Sequence, residues 1–82
     1  MSEISENKIN KILESITDNE DDFRRAKNSL ISVEKFKLNK KCRYRLTFNA
    51  IDLYGVYLHN ESRNYKIKAI AFGITIRVYV GR

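Results

Sequence analysis

The chain has 82 residues, 43% of them hydrophobic, with no proline, one cysteine and a net charge of +6. A chain of this size buries only about 60–65% of its unfolded surface, so its apolar side chains have to serve one small core in a single domain, residues 1–82. Cys42 cannot form an internal disulfide, and no apolar run is long enough to cross a bilayer.

The opening MSEISENKIN lacks the charged start and apolar stretch of a signal peptide, so the cytoplasm, or a host's cytoplasm for a viral protein, is the expected location. NES at Asn60–Ser62 fits a glycosylation acceptor but, without a secretion route, marks a loop. Charge is segregated. Residues 1–34 hold eight acidic and five basic side chains, a balance of −3, and residues 35–82 hold two and eleven, a balance of +9. Solubility does not require such separation, whereas a polyanionic partner, nucleic acid above all, does favour it.

The first third reads as two helices. Ile9, Ile12, Leu13 and Ile16 fall at helical spacing, which predicts a helix over 3–16 capped by Ser2 or Ser5. Thr17 and Glu20 have capping-box spacing, with Asp18 as the other candidate cap. Phe23, Ala26, Leu30 and Val33 then line one face of a second helix ending near Val33. The acids Asp18, Glu20, Asp21 and Asp22 do not fit a calcium loop. They suit a helix N-terminus, paired with Arg24 and Arg25.

Residues 35–82 read as strands. Gly73 placed first in a two-residue loop predicts a type II′ hairpin pairing Ala71 with Ile76, Ala69 with Val78 and Ile67 with Val80. An even loop at NESRN pairs Leu58 with Ile67 and Val56 with Ala69. An odd loop around AID pairs Phe48 with Tyr54, Leu46 with Val56 and Tyr44 with Leu58. All three turns keep the apolar residues on one face. The expected fold is therefore α+β, two N-terminal helices packed on one face of a four-stranded antiparallel meander.

The same register predicts the opposite face: Arg43, Arg45 and Thr47, then Tyr57 and His59, then Lys66, Lys68 and Ile70, then Arg77 and Tyr79, with no carboxylate among them. Like charges on neighbouring strands repel unless a partner neutralises them. Lys35, Lys37 and Lys41 extend the row, whether NKK is a three-residue turn that sets Lys37 against Arg43 and Lys35 against Arg45 or residues 35–48 form one long strand whose odd positions share a face. Cations interleaved with tyrosines suit RNA or single-stranded nucleic acid, with phosphates on Lys and Arg and bases on the rings.

No nucleophile elbow, phosphate-binding loop, dinucleotide fingerprint or zinc ligand set occurs in the sequence, and no cofactor or metal is expected. Cys42 points to the core by parity. One catalytic alternative is metal-independent RNA cleavage, with His59 as general base opposite Lys66 and Arg43. Two helices followed by a basic antiparallel sheet, with YRLTF at Tyr44–Phe48, resemble the RelE/ParE group of toxins, and that resemblance implies a toxin-like ribonuclease. The group begins with a strand before its helices, which this sequence lacks, and no catalytic assignment is carried over. A third reading is a phage or mobile-element protein that binds a host protein, or a second copy, through ITIRVYV (74–80) as an edge strand.

Overall fold

The computed structural model describes residues 4–56, 58 and 66–81. Helices α1 (Glu6–Ile16) and α2 (Glu20–Ser29) precede strands β1 (Leu30–Leu38), β2 (Lys41–Asn49), β3 (Lys66–Phe72) and β4 (Thr75–Gly81). The class is α+β with the helices N-terminal, and the four strands form one antiparallel sheet.

α1 starts at Ser5, whose hydroxyl accepts from the Lys8 N–H at 3.2 Å. It ends where the Thr17 N–H and hydroxyl both donate to the Leu13 carbonyl, at 3.1 and 2.7 Å. The cap of α2 is Asn19, which accepts from the Asp22 N–H at 2.8 Å, in place of Thr17 or Asp18. Glu20, Asp21 and Asp22 then occupy the first turn, where the helix dipole favours negative charge. Arg25 bonds the Tyr54 carbonyl and so ties α2 to the turn after β2.

The second helix stops at Ser29, short of the expected Val33. Leu30 pairs with Phe48 but Ser32 pairs with Thr47, so a bulge at Ile31 inserts one residue. That extra residue lets Leu30 and Val33, three apart, both pack against the core from a strand. The spacing imitates a helix. Ile31, β-branched and 58% exposed, is the residue extruded.

Strand order is β1-β2-β4-β3, so the sheet is two hairpins joined through β2 and β4, not a run of consecutive neighbours. The first hairpin turns on Asn39 and Lys40, both at positive φ (54° and 65°), the signature of a type I′ turn. The second turns on Gly73 at φ +61°, and its register is the expected one: Ala71 with Ile76, Ala69 with Val78, Ile67 with Val80.

Of the strand expected at 54–59, the described residues Tyr54, Gly55, Val56 and Leu58 do not pair with β2, and the rest lies outside the described residues. Residues Ile51–Gly55 form turns, and Asn49 ends β2 by accepting from the Ile51 and Asp52 N–H groups at 2.9 and 3.3 Å. Leu53 drops into the core from this turn, and Gly55 takes φ +83°. β4 takes the vacated place, matching Leu46 with Val78, Tyr44 with Val80 and Phe48 with Ile76. Residues 75–80 are therefore interior to the sheet, with Ile74 in the preceding turn, and the edge-strand expectation for 74–80 fails because β4 is hydrogen-bonded on both sides.

One face of β2 and β4 carries Leu46, Phe48, Val78 and Val80, buried beneath Ile12, Leu13 and Ile16 of α1 and Ala26 of α2. The Lys8 ammonium lies 5.5 Å from the Tyr44 ring centroid on that same face. Among the described residues no helix is long and apolar enough to cross a membrane.

Candidate nucleic-acid interface

Burying Leu46, Phe48, Val78 and Val80 against the helices turns the alternate residues of every strand outward. Register then sorts that outer face into rows that cross the sheet. One row is Phe36, Arg43, Gly81 and Lys66, and the next is Glu34, Arg45, Tyr79 and Lys68. A third is Ser32, Thr47, Arg77 and Ile70, and the last is Asn49, Thr75 and Phe72. Arg43, Arg45, Lys66, Lys68, Arg77 and Tyr79 share this face. Lys41 has the parity of Arg43 and lies at the hairpin end of β2.

The cations are not equivalent. Arg43 lies across Gly81: a Cβ built there would meet the Arg43 Nη1 at 2.5 Å and its Cγ at 3.2 Å. Glycine on β4 is what allows the side chain to cross the sheet towards Lys66. Arg45 is half-buried and bonds the Glu34 carboxylate at 2.6 Å. That bond, a second to Tyr79 and the Glu34 charge hold its guanidinium above the ordinary value. The Nε atoms of both arginines are enclosed and lack a hydrogen-bond partner. The Arg77 guanidinium carbon stands 4.4 Å from the Phe72 ring centroid. Lys66 and Lys68 on β3 are exposed.

Three differences from the sequence expectation follow from the hairpin. Its loop has two residues, so Lys35 pairs with Tyr44 and Lys37 with Cys42, which sets both lysines on the helix side. Arg45 instead meets Glu34, a carboxylate on a face expected to have none. Cys42 has core-side parity yet is exposed, because it lies near the end of β2 beyond the cover of the helices. Tyr57 and His59 lie outside the described residues. Two outer-face aromatics, Phe36 and Phe72, were not singled out from the sequence. The fixed parity of β3 carried the signal for Phe72.

Among the described residues no three His, Cys, Asp or Glu side chains gather to hold a metal. No protein-family model matches the chain, and neither a curated protein nor a solved structure is found similar to it.

Proposed function

We propose that the outer sheet face binds RNA or single-stranded nucleic acid. The observation that carries this reading is the convergence of Arg43, Arg45, Lys66, Lys68 and Arg77, from three adjacent strands, around Tyr79. The β2 and β3 cations stand two strand spacings apart, about 9.6 Å, with β4 as the floor between them. Two such columns suit the phosphates 5′ and 3′ of a base lying on the Tyr79 ring. Each stacked base contributes roughly 1–3 kcal/mol, and the phosphates supply the sequence-independent remainder. A double helix is a poorer fit, because a stacking ring on the floor has no use for paired bases.

Binding of labelled RNA and single-stranded DNA to the wild type and to Arg43→Glu/Lys68→Glu tests this. The double reversal is expected to abolish binding while circular dichroism is unchanged. Undiminished binding in that variant refutes the assignment of the face. Electrophoresis of the recovered RNA decides the alternative of a metal-independent ribonuclease, whose cleavage has to vanish in His59→Ala.

A further inference from the structure

Among the described residues, the large apolar side chains that remain exposed gather at one end of the sheet. Ile31 stands at the start of β1, Ile51 and Tyr54 in the turn after β2, Ile70 and Phe72 at the end of β3, and Ile74 in the β3–β4 loop. The Ala50 N–H donates to the Ile74 carbonyl at 2.8 Å, which joins the two turns into one rim. Tyr54 is 83%, Ile51 74% and Ile74 70% exposed. Together these six side chains leave on the order of 700 Å² of surface open to water, spread along the end of the sheet from β1 to β3.

We propose that this rim is the contact surface for a second copy of the chain, in a twofold, isologous dimer. Its area is close to the roughly 800 Å² that each partner contributes to a standard interface. Charge distribution favours self-association here over the cation-bearing rows of the outer face. Arg43, Lys66, Arg45 and Lys68 lie two to three rows from Phe72 and the two turns, about 13–20 Å away and beyond the roughly 8 Å screening length at physiological salt, and of these Lys68 alone stands within one row of Ile70 on the same strand. Two molecules of net charge +6 therefore approach most easily rim to rim. Asp52 is the one charged side chain in the turn, while Arg25 bonds the Tyr54 carbonyl and Arg77 shares the row of Ile70, so a twofold contact sets Asp52 of one copy towards a bordering arginine of the other. An anionic bilayer fits less well. Asp52 would enter it with Ile51, and the main body of cations would stand too far from the headgroups.

Sedimentation equilibrium of the full chain over about 1–200 µM tests the proposal, since association depends on concentration by mass action. The wild type is expected to rise towards twice 9.7 kDa. Ile51→Asp/Ile74→Asp is expected to stay at the monomer mass with an unchanged circular dichroism spectrum, both sites being exposed and aspartate being accepted after glycine in a II′ turn. A second variant, Tyr54→Ser, covers the case of a misfolded double variant and is expected to weaken association. A monomeric wild type throughout overturns the proposal, as does a dimer that both variants leave intact. Co-sedimentation with phosphatidylserine vesicles, lost in the double variant while the wild type stays monomeric, assigns the rim to a membrane instead.

Discussion

Glu34→Gln is expected to tighten nucleic-acid binding, although it removes the ion pair with Arg45. Glu34 is the only carboxylate on the described outer face, and it occupies Arg45 at 2.6 Å. With Arg45 engaged, four cations remain to meet phosphates: Arg43, Lys66, Lys68 and Arg77. For a single strand the logarithm of affinity falls with the logarithm of salt at about −0.7 per phosphate, which gives a slope near −2.8 for four contacts and −3.5 for five. One added contact is then worth about 8-fold in affinity at 50 mM salt and about 3-fold at 200 mM. The substitution keeps the size of the side chain and a hydrogen bond to Arg45, and the exposed ion pair adds little to folding. Fluorescence anisotropy with a labelled oligoribonucleotide at several salt concentrations reads both quantities. The expected signature is a tighter Kd at low salt together with a steeper slope. An unchanged slope means that Arg45 meets no phosphate. A weaker Kd with an unchanged slope means that Glu34 serves to orient Arg45 and Tyr79 and does not compete with the ligand.

Gly81→Ala forces Arg43 off the strand it crosses, because the new Cβ would stand 2.5–3.3 Å from three of its side-chain atoms. The same anisotropy assay should show Gly81→Ala losing about as much affinity as Arg43→Ala, with thermal melting within a few degrees of wild type for each. Lys40→Gly relieves a left-handed non-glycine residue at φ 65° and should stabilise the domain by about 0.5–1 kcal/mol, raising the melting temperature by roughly 2–8 °C in a calorimetric scan.

How far the fold was legible depended on whether each turn announced its own geometry. Gly73 did: a glycine ahead of one residue between two apolar alternations leaves a single register, and that register forms. The Asn39-Lys40 turn did not, since a lysine at positive φ is not a residue that a type I′ loop calls for, and NKK reads as easily with three residues as with two. One residue of loop length moved Lys35 and Lys37 to the other face and brought Glu34 onto the outer one. The bulge at Ile31 hid β1 in the same way, because an extra residue turns a period of two into a local spacing of three.

The face itself proved less sensitive than its strand order. The neighbour expected on that side of β2 was residues 54–59, but β4 presents the same alternation, apolar inward at Ile76, Val78 and Val80 and polar outward at Arg77 and Tyr79. Parity within a strand fixes which side chains share a face once the buried set is known, whatever the neighbour. Only the neighbour decides how far apart those side chains lie. Interior placement of β4 set Tyr79 between Arg45 and Lys68, where a meander would have left it at the margin beside Lys68 alone. That difference is what turns a scatter of surface cations into two columns with a ring between them. Moving the ring therefore separates topology from charge. A variant with the tyrosine transferred from β4 to the β1 margin, Tyr79→Thr with Phe36→Tyr, keeps every cation and one exposed phenol. It should retain the salt slope and lose the stacking contribution, about 1–3 kcal/mol per base, at every salt concentration. If affinity is unchanged in that variant, the cations alone bind the ligand and the central position of β4 has no part in recognition.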